Sequence, residues 1–122
     1  MESFLIVDDD SRLSALYKFL ITVKFEGALI KCAENGLEGL ERAEESDYSL
    51  IISDIEMPEM DGIDFYKNLK KEYPFLAKKT VFITGSPSGT HLSYFEQEKR
   101  PWLPKPFDPY VFFDFIEAAF RK

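Results

Sequence analysis

Leu50-Ile51-Ile52-Ser53-Asp54 decides the fold of this chain: a short apolar run stops at a carboxylate. Three other runs stop in the same manner. Phe4-Leu5-Ile6-Val7 leads into Asp8-Asp9-Asp10, Val81-Phe82-Ile83 into Thr84-Gly85, and Trp102-Leu103-Pro104 into Lys105-Pro106. Apolar residues on both faces of such a run are what a buried parallel strand requires. As neighbouring parallel strands, the runs deliver all of these polar groups to one edge of one sheet. In an open α/β sheet, ligands bind at the carboxyl ends of the strands. Carboxylates, a hydroxyl and an ammonium gathered there describe a metal-assisted phosphate site.

Helical patterns alternate with these runs. Ser11 to Lys24 carries Leu13, Leu16, Tyr17, Leu20 and Val23 at helical spacing, with Ser11 as candidate cap. Ala28 to Ala33 reads as a further strand, Glu34-Asn35-Gly36 as a turn, and Leu37, Leu40 and Ala43 as a short helix ending near Asp47. Met57 to Gly62 is a loop punctuated by Pro58 and Gly62. Asp61 is placed to cap a helix bearing Ile63, Phe65, Tyr66 and Leu69 that stops before Pro74. Ser88 to Glu98 is weakly helical, with Leu92 and Phe95 as candidate core contacts. Pro109 opens a last helix with Phe112, Phe115, Ile116, Ala119 and Phe120 on one face. The repeated strand-then-helix order predicts a parallel sheet with helices on both faces.

Bulk properties narrow the function. The 122 residues suit one domain spanning residues 1–122. A net charge of −7 argues against a direct nucleic-acid binder, because phosphate backbones attract clustered Lys and Arg. No apolar stretch approaches the ~20 residues of a membrane span, and no secretory signal is visible. The single cysteine, Cys32, cannot form an internal disulfide, which fits a reducing, cytoplasmic setting. Its apolar neighbours predict a small core residue rather than a reactive thiol. His91 has no Cys or His nearby and reads as a surface histidine.

Four segments together carry a family resemblance: Leu5-Ile6-Val7-Asp8-Asp9-Asp10, Asp54-Ile55-Glu56-Met57-Pro58-Glu59-Met60-Asp61-Gly62, Ile83-Thr84-Gly85 and Leu103-Pro104-Lys105-Pro106-Phe107. In order and spacing they resemble the receiver domain of two-component response regulators, of the chemotaxis-regulator type, over nearly the whole chain. The resemblance implies a flavodoxin-like, doubly wound, five-stranded parallel sheet in the order 2-1-3-4-5, an arrangement known for this family. It implies phosphorelay: a histidine kinase or histidine phosphotransfer protein donates a phosphoryl group to Asp54, and a changed surface signals onward. Such a domain is not an enzyme beyond its own phosphorylation and dephosphorylation.

The residue chemistry is compatible with those roles. A carboxylate can attack phosphorus and hold the group as an aspartyl phosphate, the role the resemblance gives Asp54. Crowded carboxylates repel and call for a cation. Mg²⁺ suits them, because it combines one or two carboxylates with water and phosphate oxygens. By resemblance Asp9 and Asp54 ligate directly, Asp8 acts through water, and the backbone carbonyl of Glu56 adds a ligand. Asp10, last of the acidic run, is expected only to cap the first helix. Lys105 pairs with Asp54 in the empty site and with a phosphoryl oxygen in the loaded one, and the Lys105–Pro106 bond is expected to be cis. The resemblance makes Thr84 the expected switch hydroxyl, with Gly85 leaving room beside it, and gives Glu56 and Ser86 the family positions that flank the phosphoryl group.

Trp102 occupies the place of a Tyr or Phe that turns inward on activation in the family. Its greater bulk leaves both a moving and a fixed aromatic open. The chain departs most from the family between Ser86 and Trp102, near the face used for partners or phosphorylation-dependent dimers, and there it is similar to receivers appended to hybrid sensor kinases. Two alternatives remain at this stage. One is a degenerate receiver serving as a binding or dimerisation module. The other is a haloacid-dehalogenase-type phosphohydrolase, which wants an Asp where Glu56 stands and needs a cap domain.

Overall fold

A computed structural model describes residues 2–120. Five strands form one parallel sheet in the order β2-β1-β3-β4-β5. The strands are β1 (Ser3–Val7), β2 (Leu29–Ala33), β3 (Leu50–Ser53), β4 (Thr80–Thr84) and β5 (Trp102–Pro104). The helices are α1 (Ser11–Lys24), α2 (Gly36–Ala43), α3 (Gly62–Glu72), α4 (Pro74–Ala77), α5 (Gly89–Glu98) and α6 (Pro109–Phe120). The expected fold class and strand order are both present.

Alternation along β1 divides the core. Leu5 and Val7 join α2, α3, α4 and α5 on one face through Ala43, Phe65, Leu69, Leu76 and Phe95. Phe4 and Ile6 join α1 and α6 on the other through Tyr17, Leu20, Phe112 and Ile116. The central strands β1, β3 and β4 are buried along nearly their whole length, as their unbroken apolar runs require.

Several local expectations need correction. Ser11 does not cap α1, being already helical; Asp10 does, as expected of it, its carboxylate accepting from the amides of Arg12 and Leu13. The buried stripe of α1 runs through Ser14, Tyr17, Leu20 and Ile21, leaving Leu16 and Val23 exposed. Cys32 is exposed, because β2 is an edge strand with Leu29, Lys31 and Cys32 open to solvent. Helix α2 ends at Ala43, short of Asp47. Pro74 begins α4 as well as following α3, since proline fits a first helical turn. Phe95 enters the core from α5, but Leu92 stays exposed.

The weakly patterned α5 is held by its ends. Ser88 and His91 form a reciprocal cap: the Ser88 hydroxyl accepts from the His91 amide, and His91 Nδ1 accepts from the Ser88 amide, each at 3.1 Å. At the other end Lys99 turns left-handed at φ 56°.

Candidate functional site

Register brings the acidic residues together. Val7 pairs with Ser53 across β1 and β3, so Asp8 and Asp54 are the next residues on adjacent strands. The Asp8 amide donates to Ala33 O and the Asp54 amide to Val7 O, at 3.0 and 2.9 Å, so both backbones extend the ladder past the strand ends. Asp8 and Asp54 are buried and Asp9 is exposed. Carboxylate oxygens of all three lie within 4.8 Å of one another.

Lys105 reaches this cluster from beyond β5. Its Nζ donates to Asp8 Oδ2 and Asp54 Oδ2, each at 3.1 Å. The remaining oxygens are anchored by backbone: Asp8 Oδ1 accepts from the Asp10 amide at 2.9 Å, and Asp54 Oδ1 from the Ile55 amide at 2.7 Å. Burial raises the Asp8 pKa, with Asp54 adding to the rise, against opposing hydrogen-bonding by the Asp10 amide and attraction to Lys105. Burial lowers the Lys105 pKa, but Asp54 and then Asp8 outweigh it, and the net shift is upward. The ammonium is therefore firmly held in its charged form.

Thr84 ends β4, is buried, and accepts the Lys105 amide on its carbonyl at 3.0 Å. The Lys105–Pro106 peptide is cis, as expected. Glu56 and Ser86 are exposed on the loops beside the cluster. Trp102 lies farther off, half-buried and stacked on Phe95 at 5.9 Å between centroids. His91 belongs to the α5 cap and not to the cluster.

Two contributors were not singled out by sequence. Gly62 opens α3 against the phosphoacceptor candidate: a Cβ there would collide with the Asp54 carbonyl oxygen, and the Gly62 amide donates to Ile55 O at 2.8 Å. Its place after Asp61 marks a helix start, but nothing local signals so close an approach. Ser53 is fully buried, and its hydroxyl donates to the Asp54 carbonyl at 2.8 Å. A small hydroxyl residue closing an apolar run was the available signal.

The donor set fits a hard divalent cation. Three carboxylates offer only oxygen ligands, two are backbone-anchored, and the exposed Asp9 leaves the cluster open to water.

A doubly wound sheet with an acidic cluster and one lysine at its carboxyl edge defines a class of phosphate-handling α/β domain. The chain belongs to the response regulator receiver domain family, which matches residues 4–117. It is thus a signalling module of two-component systems. It is 33% identical over 105 residues to the DNA-binding transcriptional regulator NtrC of Escherichia coli K12, covering 84% of this chain and 21% of that protein. It is 34% identical over 122 residues to the transcriptional regulatory protein SrrA of Staphylococcus aureus, covering 97% of this chain and 47% of that one. The chain thus spans half or less of these relatives. A CheY-like receiver domain protein from Methanospirillum hungatei JF-1 superposes with a TM-score of 0.87 at 25% identity, covering 99% of this chain and 94% of the other. Chemotaxis protein CheY4 of Vibrio cholerae gives 0.85 at 24% identity over 98% of each chain, a likeness of fold. Among the described residues, no helix is long and apolar enough to cross a membrane.

Proposed function

We propose that residues 1–122 form one phosphoacceptor domain that takes a phosphoryl group from a phosphohistidine onto Asp54. The observation that carries this reading is the shared lysine: Lys105 bridges Asp8 and Asp54 at 3.1 Å each, beside the three-carboxylate cluster. The partner is a histidine kinase or histidine phosphotransfer protein, and the output is an effector elsewhere, on this chain's continuation or another protein.

The Ile55 amide fixes the Asp54 carboxylate, so it meets phosphorus with little reorganisation. An Asp54 oxygen–phosphorus bond forms as the donor's nitrogen–phosphorus bond breaks, and the imidazole leaves with the electron pair and takes up a proton. Lys105 then moves its hydrogen bonding to a phosphoryl oxygen. Asp8, Asp9, Asp54 and the Glu56 carbonyl would hold Mg²⁺, which offsets charge between carboxylates and phosphoryl oxygens. Thr84 donates its hydroxyl to the phosphoryl group, and its carbonyl bond to the Lys105 amide couples that movement to β5. Trp102 reports or relays the change.

The test is titration with beryllofluoride and Mg²⁺, followed by Trp102 fluorescence and amide shifts. The reading expects a saturable response that Asp54→Ala abolishes. No response in the wild type, or one that survives Asp54→Ala, overturns it. Single-turnover labelling, without sustained hydrolysis of a simple phosphate ester, separates it from a phosphohydrolase.

A further inference from the structure

Tyr17 carries a buried hydroxyl that has no hydrogen-bond partner among the described residues. The residue is 1% exposed. Its ring stacks with Phe107 and Phe112 at centroid distances of 5.7 and 5.8 Å and interplanar angles of 18° and 13°. The neighbouring rings on this face of the sheet are phenylalanines, so a phenyl ring would fill the slot equally well. The hydroxyl has lost its hydration on folding and gained nothing visible in return.

Its direction is informative. Side chains on a helix lean toward the helix N-terminus, and α1 begins at the Asp10 cap, next to Asp8 and Asp9. The Phe107 ring that covers Tyr17 follows Lys105 by two residues. The lean of α1 directs the hydroxyl toward the acidic cluster. Burial raises the phenol pKa, and the carboxylates of Asp8, Asp54 and Asp10 raise it further in that order.

While Lys105 bonds Asp8, Asp8 does not need this donor. Its Oδ1 has the Asp10 amide and its Oδ2 has Lys105. A phosphoryl group on Asp54 brings new anionic oxygens, and these draw the ammonium away from Asp8. We propose that Tyr17 is a positioning residue for the loaded site, its hydroxyl donating to the Asp8 carboxylate, directly or through one water, when Lys105 turns to the phosphoryl oxygen. This rests on the phosphoacceptor reading above.

The experiment compares the wild type with Tyr17→Phe. Without ligand, the variant's thermal midpoint equals or exceeds that of the wild type, because no bond is lost. With saturating Mg²⁺, its beryllofluoride affinity by Trp102 fluorescence falls about tenfold, as expected for one hydrogen bond to a charged acceptor. In the wild type, loading also produces a slowly exchanging tyrosyl hydroxyl proton by NMR that Tyr17→Phe lacks. This signature needs no substitution to be seen and is not expected of a packing role. Unchanged affinity, a lowered midpoint in the empty variant, or no such proton in the loaded wild type overturns the proposal. A wild type that binds no beryllofluoride overturns the phosphoacceptor reading, and this proposal falls with it.

Discussion

Gly62→Ala tests whether the start of α3 is built against Asp54. The new Cβ would overlap the Asp54 carbonyl oxygen and stand 3.0 Å from both Asp54 C and Ile55 Cα. All of these are backbone atoms, so no side chain can rotate aside. Strand β3 is locked between β1 and β4, and the Gly62 amide is tied to Ile55 O. Alanine gains up to about 1 kcal/mol from helix propensity. Overpacking against fixed atoms costs about 3 kcal/mol or more, so a net loss of about 2–3 kcal/mol is expected. At about 2.1 cal/mol/K of unfolding entropy per residue, the 122 residues convert this to a midpoint lower by about 8–12 °C. Thermal unfolding by circular dichroism measures it, with two other glycines as controls. Gly89 opens α5 facing free space, so Gly89→Ala is expected to stay within about 0.5 kcal/mol of the wild type. Gly27 also faces free space but has φ +80°, so Gly27→Ala is expected to lose about 1 kcal/mol from backbone strain alone. A Gly62→Ala midpoint within about 2 °C of the wild type, or losses that do not rank Gly62 above Gly27 above Gly89, would refute the reasoning.

Lys105→Met leaves Asp8 and Asp54 buried without their cation, and is expected to destabilise the Mg²⁺-free protein by about 3 kcal/mol at neutral pH. Mg²⁺ at about ten times its Kd is expected to return about 1.4 kcal/mol; calorimetry with and without EDTA measures both, and a variant as stable as the wild type without metal counts against the bridge. Glu98 accepts hydrogen bonds from Lys70 at 2.6 Å and Tyr66 at 3.2 Å, and the Lys70 bond lowers its pKa below 4.5. A depressed carboxylate stabilises above its unfolded pKa, and that stability is lost as pH falls through the folded value. The wild-type advantage over Glu98→Gln in urea titrations is therefore expected to be full above about pH 5 and to shrink in more acidic solution; a gap independent of pH would contradict it. Cys32 is exposed, with a pKa raised chiefly by partial burial. It is expected to react completely with a maleimide in the native state, more slowly than a free thiol; labelling that requires denaturant would sink that expectation.

The strands were legible because burial on both faces leaves a continuous apolar run, and β1 and β3 are such runs. Their carboxyl-end residues were legible for the same reason: Asp8, Thr84 and Lys105 are the first polar groups after their runs, and Asp54 follows its run after Ser53. What the sequence hid depends on distances between elements. Cys32 has apolar neighbours, yet β2 is an edge strand, and an edge position cannot be read from composition. Pro74 looks like a stop and is also the start of α4. Gly62 looks like loop punctuation, and only the meeting of α3 with β3 reveals a packing requirement. Tyr17 fits the apolar stripe of α1 perfectly well, and its unpartnered hydroxyl appears only when its neighbours prove to be phenylalanines.

On the phosphoacceptor reading, charge arithmetic within the cluster explains why a cation and a phosphoryl group would belong to the same event. Fully ionised, Asp8, Asp9 and Asp54 bring three negative charges against one positive on Lys105, a sum of −2. A divalent cation cancels that sum, while a phosphoryl group arriving first would meet it unscreened. Asp8 and Asp54 are buried and Asp9 is exposed, and burial first, with the Asp54 charge a smaller addition, raises the pKa of Asp8. One ammonium, on Lys105, is divided between two of these carboxylates. On the phosphoacceptor reading, the incoming phosphoryl oxygens compete for this ammonium, and the Lys105 backbone lies next to that change of partner. That backbone is hydrogen-bonded to Thr84 at the end of β4, so on the same reading a change of charge partner at Lys105 is felt by both β4 and β5. The sheet edge that concentrates the charge is therefore also the edge at which a change of charge would be passed to the strands.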